Sequence, residues 1–174
     1  MNQFKYQKIY HFIAHILILL SFFYLQTLFL ARIGINFFNI DLVTIFIVYV
    51  AIEHALLPAL LLLILASTLM QNFSMAPQGF FITYYLLVYI MSYAFTKMII
   101  IHKMSGQLAV FSILLVFKYI LSFLAFKANN DPYDGFSFII ENFWECVVTA
   151  IVSVPIFKLL SMFDTKFNTF RLKR

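Results

Sequence analysis

From Ile9 to Ala31 the chain contains no Asp, Glu, Lys or Arg, and apolar stretches broken only by isolated charges recur at Leu42 to Met70, Phe80 to Thr96, Gln107 to Phe126 and Ile140 to Phe163. Nothing else in the sequence constrains the fold as strongly. One helical crossing of the hydrocarbon needs about 20 apolar residues, and a helix that is apolar all round has no face to offer water. Composition agrees: 64% of residues are hydrophobic and 11% charged, whereas soluble domains carry roughly 45–50% and about 25%. With 12 Lys+Arg and 7 Asp+Glu, a water-soluble globule could not be covered. The chain reads as a single all-α membrane domain over residues 1–174, with room for six spans and short loops.

The net charge of +5 is not a nucleic-acid signal, because the basic residues sit mostly at the ends of apolar runs, as membrane orientation requires. The first run, preceded by Lys5 and Lys8, is too long for a signal-peptide core, and Phe29-Leu30-Ala31-Arg32 offers no small-x-small cleavage site, so a retained span is expected. Lone Cys146 cannot form an intrachain disulfide and reads as a packed apolar side chain.

The block from Leu42 to Met70 carries Glu53-His54 at its middle and Pro58 just beyond. One long helix would bury a carboxylate near the bilayer centre and run through a proline. Two helices are therefore expected, with Asn39 as the N-cap of the first and Asp41 in its first turn. The expected spans are 9–31, 39–53, 56–72, 80–96, 107–126 and 140–163. An even count leaves Lys5, Lys8, Lys97, Lys103 and the tail of Lys158, Lys166, Arg171, Lys173 and Arg174 on the cytoplasmic side, with only Arg32 and Lys127 outside. Five spans would export the basic tail and retain Asp131 and Asp134. Six transmembrane helices with both termini cytoplasmic is the topology that charge favours.

No paired-aspartate transferase pattern, phosphate loop, HExxH helix or G-x-S-x-G elbow occurs, and 4 Gly leave little for a phosphate cradle. Neither an enzyme nor a catalytic residue is expected. His11 and His15, at i and i+4, share a face of the first span, and the Glu53-His54 turn lies on the same side of the membrane. This spacing could gather imidazoles and a carboxylate around a metal. Amphipathic rings are also at home at a membrane interface; the expectation is no metal or cofactor, with His15 paired to Glu53.

Lys118 stands near the middle of the fifth span, where an unpaired ammonium is expensive. Gln107, Lys118, Ser122 and Ala125 share a helix face, and the last span offers Glu141, Glu145, Thr149 and Ser153 at four-residue spacing. Consecutive helices on a short loop are antiparallel neighbours, so Lys118 and Glu145 are expected as a buried pair, either fixing helix register or forming part of a proton or substrate path. The fourth span carries Tyr85, Tyr89, Ser92 and Thr96, a hydroxyl stripe suited to helix contacts and the candidate partner-binding surface.

The order of segments resembles the bacterial rod shape-determining MreD family. The residues that carry the resemblance are Asp41-Leu42-Val43 opening a short helix, a charged turn, Gln71-Asn72-Phe73-Ser74 closing a span, Pro77-Gln78-Gly79 leading into a tyrosine-containing helix, and Pro155-Ile156-Phe157-Lys158 before a basic tail. Three positions depart from the family pattern: Ile40 precedes Asp41 where proline is usual, and Ser67 and Gln71 stand where a glycine and an aspartate are usual. The resemblance implies a non-enzymatic subunit of the cell-elongation machinery in the bacterial inner membrane, similar in fold to the substrate-binding subunits of vitamin transporters. It implies an MreC-like bitopic partner and, through it, an MreB-like filament, a penicillin-binding transpeptidase and a glycan polymerase in peptidoglycan synthesis. The expected function is thus a membrane adaptor supporting cell shape, with lipids around it and no nucleic acid; a small-molecule transporter subunit is the alternative of the same topology.

Overall fold

The computed structural model describes residues 2–29, 40–74, 76–98, 104–128 and 135–167, and the regular structure among them is all helical. In chain order the helices are α1 (Asn2–Tyr24), α2 (Leu42–Glu53), α3 (Leu56–Phe73), α4 (Phe80–Met98), α5 (Met104–Ala128) and α6 (Gly135–Phe167). α1 continues into a π-helical turn, Leu25–Phe29. Four stretches are long and apolar enough to cross a membrane: Ile9–Thr27, Leu56–Phe73, Gly106–Ala125 and Phe143–Thr165. Leu42–Glu53 and Phe80–Thr96 are shorter apolar helices. The chain is an all-helical protein suited to a membrane. Arg32, Asn39, Lys103, Asp131 and Asp134 lie outside the described residues, as does the basic tail beyond residue 167.

The organising element is α2. Every residue from Leu42 to Ile52 is buried, and the helix packs against α1, α3, α4 and α6. Its sequence explains the position: a run apolar on all sides with several β-branched residues has no solvent face and is stable only where it is covered on all sides. With 12 residues it is about 18 Å long at 1.5 Å per residue, short of the roughly 30 Å of hydrocarbon. Both ends of α2 therefore lie within the protein, and both must find polar partners there.

At the N-terminal end the backbone is fully accounted for. The cap is Asp41 itself, not a first-turn residue behind an Asn39 cap, and its carboxylate accepts from the Thr44 amide at 3.0 Å. Leu42 N–H donates to the Ile40 carbonyl, Val43 N–H to Gln26 Oε1 and Ile45 N–H to the Asp41 carbonyl. All four first-turn amides are thus paired, as a helix end removed from water demands. Gln26 stands in the π-helical turn that follows α1.

The block from Leu42 to Met70 divides at His54 and Ala55, whose extended backbones separate α2 from α3. Pro58 is the third residue of α3, where the missing N–H forfeits no intrahelical bond. Between α3 and α4 the Phe80 amide donates to the Pro77 carbonyl at 3.1 Å, closing a four-residue turn whose third residue, Gly79, has φ 82°. That left-handed conformation suits glycine and strains other residues. Gln71 ties the loop to α3 by donating to the Ala76 and Pro77 carbonyls.

Candidate functional site

Two polar clusters stand at the two ends of α2, about 18 Å apart along its axis. The first surrounds Lys118 of α5. Its ammonium lies 2.6 Å from Asp41 Oδ2 and 2.9 Å from Glu145 Oε1. The structure brings Lys118 and Glu145 together and adds a nearer partner that sequence reasoning left out. Asp41 is also held by the Thr44 hydroxyl at 2.7 Å, and its backbone N–H donates to Thr149 Oγ1 at 3.1 Å. Thr44 in turn meets the Tyr84 hydroxyl at 3.2 Å. α2, α4, α5 and α6 are joined by this one network. Lys118 answers two carboxylates, so the cluster carries a formal excess of one negative charge. The side chain of Glu141 lies outside the described ones.

The second cluster surrounds Asp164, near the end of α6. Its Oδ1 lies 2.8 Å from His11 Nε2 and 3.3 Å from His15 Nε2, and its Oδ2 lies 3.2 Å from His54 Nε2. The Tyr49 hydroxyl donates to Oδ2 at 2.5 Å. The three imidazoles pack against one another, with the His15 ring tilted against His11 at 4.4 Å and edge-on to His54 at 4.5 Å between centroids. All three histidines are buried, while the Asp164 side chain keeps 16% of its surface exposed, leaving a way in from one end of the bundle. Burial is the dominant influence on His54, which lies in the α2–α3 turn; it holds the imidazole below the ordinary histidine value, against the pull of Asp164.

This grouping revises two expectations. His15 meets Asp164, not Glu53, because Asp164 near the end of α6 lies beside His11 and His15 of α1. His11, His15 and Asp164 also offer ligand atoms within 4.8 Å of one another, the dense cluster that the sequence did not disclose. One signal for it was present. Asp164 is the sole acid after Glu145, set in an otherwise basic C-terminal region.

The fourth-span stripe divides by exposure. Tyr85 and Ser92 are fully buried, and their hydroxyls have no hydrogen-bond partner among the described residues. Tyr89 and Thr96 are half-buried. The expected partner-binding stripe is therefore turned into the bundle over half its members, because Tyr84, Tyr85, Val88 and Ser92 form the face of α4 that packs. The outward face of the same helix is Ile82, Leu86, Ile90 and Tyr93. No family model matches the chain, and no curated protein or solved structure is significantly similar to it.

Proposed function

We propose that the chain is a non-enzymatic adaptor of the bacterial cell-elongation complex, an MreD-type subunit of the inner membrane that binds an MreC-like bitopic partner. Through that partner it supports peptidoglycan synthesis by an MreB-like filament, a penicillin-binding transpeptidase and a glycan polymerase. One observation carries the reading. Among the described residues, Asp41, Lys118 and Glu145 are spent on one another at one end of α2 and Asp164 on histidines at the other, while α4 turns an apolar face outward. Such a face meets lipid or another membrane helix, and Tyr89 and Thr96 at its margin supply hydroxyls for a helix–helix contact.

The topology that goes with this reading has six crossings and both ends cytoplasmic. In its support, His11 near the start of α1 touches Asp164 near the end of α6, so these two positions share one end of the bundle, as an even number of crossings requires. The excess of lysine and arginine near both ends assigns that side to the cytoplasm. Reporters after Arg174 and within 103–106 are expected to read cytoplasmic, and one near Asn130 external; a cytoplasmic signal at Asn130 sinks the topology.

Affinity capture from native membranes tests the function. An MreC-like protein is expected to co-purify with the wild-type chain, and Tyr89→Trp together with Thr96→Leu is expected to release it without lowering the melting temperature. If that partner is missing from the wild-type capture, the adaptor reading fails. Uptake or tight binding of a small solute by the purified chain alone would establish the transporter-subunit alternative instead.

A further inference from the structure

The cluster around Asp164 contains an arrangement that hydrogen bonds alone do not satisfy. His15 Nδ1 lies 3.0 Å from the carbonyl oxygen of His11. A carbonyl can only accept, so Nδ1 carries a proton, and Nε2 is the ring nitrogen left to face Asp164. That nitrogen is buried, 3.3 Å from Asp164 Oδ1, and without a hydrogen-bond partner among the described residues. A cation held between the nitrogen and the carboxylate oxygen would satisfy both.

The surroundings match what a metal requires. A ligating histidine usually donates its other ring N–H to a backbone carbonyl or carboxylate, which fixes the tautomer and aims the lone pair; the His15 Nδ1–H to His11 carbonyl bond does this. The coordinating carboxylate is itself usually hydrogen-bonded, and Tyr49 supplies that bond to Asp164 Oδ2. A tetrahedral zinc site with bonds of about 2.0–2.1 Å has ligand–ligand edges of about 3.3 Å. The nitrogen-to-Oδ1 separations are 2.8 and 3.3 Å, and the three ligand atoms of His11, His15 and Asp164 all lie within 4.8 Å of one another. Small side-chain rotations close the remaining gap.

We propose that His11, His15 and Asp164 bind one divalent transition-metal ion of the zinc class, with His54 facing the fourth position. Imidazole and carboxylate donors without thiolate suit Zn(II), Co(II) or Ni(II) and are a poor match for the all-oxygen preference of Mg(II) and Ca(II). The three ligands come from α1 and from the end of α6, with His54 of the α2–α3 turn beside them, so the ion would staple two helices far apart in the chain. The site stands or falls separately from the adaptor reading, since its readouts involve no partner protein.

The test uses the full chain purified in detergent, stripped with a chelator and titrated with ZnCl2 or CoCl2. One equivalent is expected to bind at micromolar concentration or below, with a rise in melting temperature that the chelator reverses. Co(II) is expected to give the visible absorption of a tetrahedral site. His15→Ala and Asp164→Asn are each expected to weaken binding by at least 100-fold, while Cys146→Ser leaves it unchanged. X-ray absorption of the zinc-loaded wild-type chain, which needs no variant to fold, is expected to show nitrogen and oxygen neighbours only, with the scattering of at least two imidazoles. The proposal is overturned if less than one equivalent binds, if affinity survives His15→Ala and Asp164→Asn in folded protein, if it is lost with Cys146→Ser, or if the absorption spectrum shows a sulfur ligand.

Discussion

The two ends of α2 solve the same problem with different chemistry. Both must satisfy polar groups that are largely shielded from water. At the Asp41 end, one ammonium sits between two carboxylates, and its partners are the N-cap of α2 and the inward face of α6. At the His54 end, one carboxylate sits among three imidazoles and a phenol. The first network ties an ammonium of α5 to the N-cap of α2 and to α6, so it acts as a lock on helix register. The second gathers imidazole and carboxylate donors of the kind that ligate metals, so it is the end that could take up an ion. One buried helix thus joins a charge lock to a candidate ligand site.

Lys118→Met is the largest expected blow to this contrast. It leaves Asp41 and Glu145 near each other with no cation, and removing one partner of a buried pair costs about 3–5 kcal/mol. Thermal or denaturant unfolding in detergent measures it. Adding Asp41→Asn is expected to recover part of the loss, because one stranded charge is removed. Glu145→Gln alone is expected to cost far less, since the tighter Lys118–Asp41 pair at 2.6 Å survives with matched charge. Should Lys118→Met melt with the wild type, the lysine is solvated and the first cluster is not a lock.

Next in size is Asp164→Asn in metal-free protein. It removes the charge that His11 and Tyr49 bond to, and a hydrogen bond to a charged group is worth about 1.5–3 kcal/mol. The same unfolding measurement, with chelator present, checks it. A loss as large as that of Lys118→Met would erase the distinction between the two ends. The smallest expected effect is that of Tyr49→Phe, about 1 kcal/mol, because the carboxylate keeps its histidine partners. Combining it with Asp164→Asn is expected to cost less than the sum of the two single losses, because both weaken the same bond. Fully additive losses would show that the phenol and the carboxylate are not partners in solution.

Glu53 and Pro58 were enough to divide the second apolar block, because a carboxylate and an interior proline are penalties that act along the chain. The helix of 80–96 was likewise legible from the Pro77-Gln78-Gly79 turn before it, and the Lys118 to Glu145 contact from helical spacing on two adjacent elements. The orientation of the α4 stripe was not. Tyr85 and Tyr89 look alike in sequence, and only the seating of α4 against α2 and α3 buries one fully and the other in part.

What the sequence determined by itself is the solvent and the segmentation: its apolar runs require lipid, and its breaks mark where helices end. Both are local quantities, summed residue by residue along the chain. What only the tertiary structure decided is which polar group answers which. Asp41 and Lys118 are 77 positions apart, and His11 and Asp164 are 153 apart. No periodicity relates them; they meet because α2 is too short and too apolar to lie anywhere but the centre. Its two buried ends then draw in whatever charge the surrounding helices present at that depth.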